Sequence, residues 1–119
     1  MNNAGDMRSQ YKSRSQRKGI AFDLTEDQFA RIAAQNCFYC DAVPTRVYSQ
    51  RNSRTYKITR VRRNGIDRVD NFLGYTIDNC VPCCAACNRM KLDVSLEDFF
   101  MRVSRIYRLH INPGDMQQP

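Results

Sequence analysis

The chain has 119 residues, 10 % of them aromatic with no Trp, and carries 19 Lys and Arg against 12 Asp and Glu, for a net charge of +7. A chain of this length forms one small domain with a modest core, which a bound metal would help to stabilise. It has no run of about 18 apolar residues, and residues 1–12 lack the apolar stretch and cleavage site of a signal peptide. The reading is therefore a cytoplasmic protein with reduced cysteines, neither membrane-spanning nor secreted and disulfide-bonded.

Residues 1–22 read as a basic N-terminal arm, with Arg8, Lys12, Arg14, Arg17 and Lys18 among Ser, Gln and Asn. A helix ending at Gly19 as its C′ residue suits this stretch. Beyond Met7 and Tyr11 no apolar stripe fixes it to a core, so the arm is expected to order on binding. Residues 23–110 read as the domain. Its first helix opens with Thr25 as N-cap and Gln28 three positions on, a capping box, with Leu24 and Phe29 as a hydrophobic staple. Phe29, Ile32 and Ala33 give one apolar face, and the helix runs to about Gln35.

Residues 41–44 resemble a turn, and residues 45–53 have too little apolar content for a buried element, which predicts a loop. From Tyr56 the β-branched pattern predicts an exposed strand or hairpin arm. Arg46, Arg51, Arg54, Lys57, Arg60, Arg62 and Arg63 fall within residues 46–63 with no acidic residue between them, and Tyr48 and Tyr56 are interleaved. Such a strip suits a phosphate backbone through counterion release. The plainer alternative is a solvated basic loop. Asn64 and Gly65 form a turn pair, followed by a short strand over residues 65–69.

A connection over residues 70–79, with Asp78 and Asn79 turning the chain, leads to a second strand around residues 80–82 and then a helix from Ala85 to about Leu92. The last helix has Ser95 as N-cap and Asp98 at N3. Phe99, Val103, Ile106 and His110 follow at helical spacing on one apolar face. His110, the only histidine, therefore reads as a packed or helix-terminal residue. Residues 111–119 read as a tail.

Cys37/Cys40 and Cys84/Cys87 are two Cys-x-x-Cys pairs, the usual donor set of a tetrahedral structural Zn²⁺. Cys80 and Cys83 form an overlapping pair and leave the ligand choice open. The second knuckle is assigned to Cys84/Cys87, because like the first it stands beside a helix, and Asn88 follows it.

Through GIDRVDN, GYTIDN and CCAACNRMK the chain resembles the HNH superfamily of ββα-metal (His-Me finger) endonucleases, over roughly residues 22–105 and especially its four-cysteine, zinc-stabilised branch common in phage genomes. The resemblance implies an α+β fold, a small zinc-stabilised ββα-metal domain with flanking helices. It further implies that Asp67 and Asn88 hold a catalytic Mg²⁺ or Mn²⁺ over a DNA phosphodiester. Where the family carries a water-activating histidine stands Arg68, which cannot act as a base but suits phosphate. Asp70 is then the nearest carboxylate by sequence to activate water.

Arg89 and Lys91 are expected to face phosphates or solvent, and Tyr75 to pack between the hairpin and the helix. The implied protein is a DNA endonuclease, monomer or homodimer, acting in a phage-infected bacterium or another intracellular setting. The rivals are a degenerate relative that binds DNA or RNA without cutting, and a zinc-stabilised protein-interaction domain that leaves Asp67 and Asn88 unexplained.

Overall fold

A computed structural model describes residues 4–52 and 54–114. The elements run α1 (Ala4–Arg17), α2 (Glu26–Ala33), β1 (Arg46–Arg51), β2 (Ile58–Arg63), β3 (Gly65–Arg68), β4 (Cys80–Cys83), α3 (Ala85–Lys91) and α4 (Leu96–Ile106). A π-helical turn, Tyr107–Ile111, continues the last helix. The strands form two antiparallel pairs, β1 with β2 and β3 with β4, so the α+β class expected from the sequence is the class adopted. Among the described residues no helix is long and apolar enough to cross a membrane.

α2 begins where the sequence places it. The Thr25 hydroxyl accepts the Gln28 N–H, and the Gln28 side chain accepts the Thr25 N–H. With two orphan donors satisfied, Leu24, Phe29, Ile32 and Ala33 enter the core. The β3–β4 hairpin supplies Ile66 and Cys80 to the same core, in the register Gly65↔Cys83, Ile66↔Pro82, Asp67↔Val81 and Arg68↔Cys80.

Four expectations are corrected. α1 is docked rather than a free arm: Met7 is buried in the core and Tyr11 packs edge-on against Phe29 and Tyr75. Two residues suffice because the Tyr11 hydroxyl accepts the Ile66 N–H at 3.1 Å, and a Cβ on Gly65 would come within 2.7 Å of that hydroxyl. Gly19, with φ +70°, ends the helix as the expected C′ residue. Its N–H donates to the Gln16 carbonyl and that of Ile20 to the Ser15 carbonyl.

The loop predicted over residues 45–53 is mostly strand. β1 pairs along its whole length with β2 from Arg46↔Arg63 to Arg51↔Ile58, and Tyr48 anchors it in the core. Ser53 lies outside the described residues. Asn64 and Gly65 do not turn the chain either. Asn64 is buried, donates its backbone N–H to Ala33 O at 2.7 Å, and donates its side-chain amide to Gln35 O and Ala42 O. It bolts the junction of β2 and β3 to the end of α2.

The fourth correction concerns α4. Ser95 caps it as expected, accepting the Asp98 N–H, and Phe99 is buried. Val103, Ile106 and His110 are exposed, so beyond Phe99 the apolar face is left largely uncovered. Residues 115–119 of the expected tail lie outside the described residues.

Candidate metal centre and adjoining cleft

The sulfurs of Cys37, Cys40, Cys84 and Cys87 all lie within 4.8 Å of one another, and Cys40 Sγ is 3.7 Å from Cys84 Sγ. Tetrahedral bonds of ~2.3 Å to a common ion place sulfurs about 3.8 Å apart, so this donor set has the geometry of a zinc-type site. The backbone preforms it. Cys37 Sγ accepts the Cys84 N–H, Cys84 Sγ accepts the Cys87 N–H, and the Phe38 N–H donates to Pro82 O, which ties the first knuckle to β4. Burial opposes ionisation of Cys37, but backbone N–H groups of Cys84, Cys40 and Tyr39 outweigh it and lower the thiol to about 7. Cys80 and Cys83 are not part of the four-sulfur set: both are buried on β4, Cys83 packed beside Cys37 and Cys87 and Cys80 in the main core, where burial pushes its thiol up to about 11.

Cys84 is also the N-cap of α3. The helix that starts on a metal-site sulfur carries Asn88 and Lys91 towards β3. Asp67, buried on that strand, accepts the Tyr39 hydroxyl at 2.6 Å and an ion pair from Lys91 Nζ at 3.1 Å. Both contacts fall on Oδ2 and neither engages Oδ1. Lys91 is 0 % exposed and also donates to Arg68 O. A place on a phosphate-facing surface is thereby corrected: the ammonium is sealed inside, where only the Asp67 carboxylate makes its charge tolerable. Burial, then the bond to Asp67, raises the Tyr39 phenol and keeps it a donor.

A cavity of about 290 Å³ opens beside this hub. Asp67, Arg68, Asn71, Asn88 and Asp93 line it, with Tyr11 and Arg14 from α1 and Lys18 from the turn that follows the helix. A second cavity, of about 260 Å³, shares Tyr11, Arg14 and Asn88 with it and adds Arg46 and Arg89. The structure thus brings Asp67, Arg68 and Asn88 to one cleft, with basic side chains from α1, β1 and α3 along its length.

The other residues singled out in the sequence are distributed as follows. Arg68 donates from Nη1 to Asn71 O and Leu73 O, both at 2.9 Å, and its guanidinium lies 5.2 Å from the Tyr75 ring centre. Tyr75 packs on Phe22 and Tyr11 rather than between the hairpin and the helix. Asp70 is taken up by its own turn, its Oδ1 accepting the Phe72 N–H, and it is not among the residues lining the cleft, whereas Asp93 is. The basic strip is split by the pleat. Arg51, Arg60 and Arg62 project from one face of the β1–β2 ribbon, Arg46 and Arg63 from the other, and Arg54 and Lys57 sit at its tip. Arg8 donates twice to Leu24 O and acts as a bolt. Tyr39, Asp93 and the buried role of Lys91 were not legible beforehand. The only signal was position, Tyr39 between the first two cysteines and Lys91 one helical turn after Cys87.

A β-hairpin and a short helix clasped by a four-cysteine cluster, with an acidic residue on the first strand, make an HNH-like fold. The rare-cutting HNH restriction endonuclease PacI has a similar structure, with a TM-score of 0.59 over 96 % of this chain and 83 % of that one, at 21 % identity. In sequence, 98 residues, 82 % of the chain, are 38 % identical to the uncharacterized protein R423 of Acanthamoeba polyphaga mimivirus, of whose length the chain spans 16 %. No family model matches the chain.

Proposed function

We propose that the chain is a metal-dependent endonuclease that hydrolyses DNA phosphodiester bonds in the cleft beside Asp67. The observation that carries this is the convergence of Asp67, Arg68 and Asn88 with Arg14 and Lys18 in one cavity. The likeness to PacI, itself a restriction endonuclease, agrees with it.

Asp67 Oδ1 and the Asn88 amide would hold Mg²⁺ or Mn²⁺, and two oxygen donors that leave room for waters suit either ion. Bound there, the ion supplies charge stabilisation to the leaving oxygen. Lys91 and Tyr39 hold the Asp67 carboxylate still by occupying its other oxygen. Arg68 commits Nη1 to the loop, and the rest of its fork would hold the scissile phosphate. Asp93, which lines the cleft where Asp70 does not, would take the proton from water. Zn²⁺ is the ion proposed for the four cysteines. Arg46, Arg51, Arg54, Lys57, Arg60, Arg62, Arg63 and Arg89 would hold the flanking backbone, and Arg14 of α1 with Lys18 just after it would form one wall of the site.

A second reading, binding of DNA or RNA without cleavage, is favoured by one feature. Lys91 already neutralises Asp67, which weakens its attraction for a cation. Incubating zinc-loaded protein with supercoiled and branched DNA, with Mg²⁺, Mn²⁺ or neither, separates the two. Cleavage that needs the added ion and disappears in Asn88→Ala and Asp67→Asn, both checked for folding, is the expected outcome. Salt-sensitive binding with no cleavage under either ion establishes the second reading.

A further inference from the structure

We infer that Phe72 is a base-stacking residue, set at the rim of the cleft to insert against a DNA base next to the bound phosphate. The inference rests on the proposal that the cleft holds DNA. Phe72 is 99 % exposed, so its ring contributes nothing to the core. The loop that carries it is braced on every side. The Phe72 N–H donates to Asp70 Oδ1 at 2.9 Å, and Arg68 holds the carbonyls of the residues before and after it. The Asn71 amide donates to Asp93 O at 2.7 Å and Val94 O at 3.2 Å, and the Asn79 amide donates to Asp70 O and Gly74 O. Gly74 lies so close to Ala21 that a Cβ would come within 2.7 Å of its carbonyl oxygen.

Exposed apolar residues are ordinary on a surface, but a fully exposed aromatic ring on a turn held by this many bonds is a preorganised contact. Its location identifies the partner. Asn71, the preceding residue, is part of the cleft wall with Asp67, Asn88, Arg14 and Lys18, so Phe72 stands one residue from the wall, where a strand with its phosphate in the cleft would carry its bases. Every base has a π-face, and an apolar side chain entering a stack costs least where a base is unpaired or weakly stacked. The class of DNA favoured is therefore duplex with an unpaired or unstacked base near the cut, rather than uniformly stacked duplex.

The chain has no Trp, so Phe72→Trp provides a single reporter at the position in question. The experiment titrates the full zinc-loaded chain, without Mg²⁺ or Mn²⁺, with a short duplex carrying one unpaired base and with its fully paired counterpart. Emission of the Trp variant is expected to be quenched by the first duplex more than by the second. Phe72→Ala and Phe72→Leu are both expected to lose about tenfold in affinity for the first duplex, with little change for the second. Unchanged emission on bound DNA, wild-type affinity in Phe72→Ala, or full rescue by Leu overturns the inference while the DNA-binding reading stands. Failure of the wild-type chain to bind either duplex overturns both.

Discussion

Asp67 owes its place to two partners that approach from different parts of the chain, Tyr39 from the first knuckle and Lys91 from α3. Removing one member of a buried pair strands the other, so Lys91→Met is expected to cost about 3–5 kcal/mol. Lys91→Met combined with Asp67→Asn should recover most of that loss, as read by urea unfolding. If the single and double variants prove equally unstable, the packing of the lysine stem matters and the ion pair does not. Tyr39→Phe removes a hydrogen bond to a charged acceptor and should cost roughly 2 kcal/mol.

The phenols also set a pH limit. Burial raises those of Tyr11, Tyr39 and Tyr75 above their ordinary value of 10.0, so above that pH the unfolded chain loses protons that the folded chain keeps. Stability should therefore be unaffected by these groups at neutral pH and fall as pH rises past 10, measurable as a declining Tm. Asp67 and Asn88 were legible because they stand within sequence motifs. Tyr39 and Lys91 were not, because their role is set by burial, and a lysine after Asn88 and Arg89 on a short helix has the composition of an exposed face.

Among the elements, α3 depends most on the four-cysteine cluster. It has seven residues, too few to persist alone, and its first turn is capped by Cys84 Sγ. With Zn²⁺ bound there as proposed, its chelation should release α3 and carry Asn88 and Lys91 out of register, seen as a loss of helical circular dichroism together with a large drop in Tm. An unchanged spectrum after verified metal removal would mean that packing alone holds the helix. α4 is the opposite case. Phe99, which packs edge-on against Tyr39, should cost about 3 kcal/mol on truncation to Ala, whereas Ile106→Ala should cost well under 1.

Both N-caps and both amphipathic patterns were readable, since caps and periodicity are local. Whether a face is covered is not local, which is why the exposed half of α4 escaped. β1 escaped for a related reason. A strand of sequence RVYSQR, anchored by the buried Tyr48, has almost no alternating apolar pattern, and its pairing with β2 exists only in three dimensions.

The whole molecule is drawn out, with extents of 60 × 30 × 21 Å and a radius of gyration of 16.9 Å, where a compact chain of this length has about 13.5 Å. Its positive charge is distributed accordingly, along a ribbon on which Arg46 directly faces Arg63. Like charges across a pair destabilise a two-stranded sheet, and a polyanion relieves that cost. Replacing both Arg60 and Arg62 by Ala should lower the slope of log affinity against log salt by roughly 2, without touching the cleft.

The single residue between β2 and β3 has a metric consequence. Asn64 is fixed by three hydrogen bonds to residues of α2 and its following turn and the first knuckle, so the ribbon and the hairpin bearing Asp67 meet at a locked joint. At about 3.3 Å per residue, Arg60 is at most roughly 23 Å along the backbone from Asp67, a contour equal to about seven nucleotide steps of one strand. If the ribbon holds DNA and Asp67 holds the ion as proposed, the two would act as a ruler. The interval between anchored phosphates and broken bond would be set by the length of the protein backbone, whatever bases lie between them.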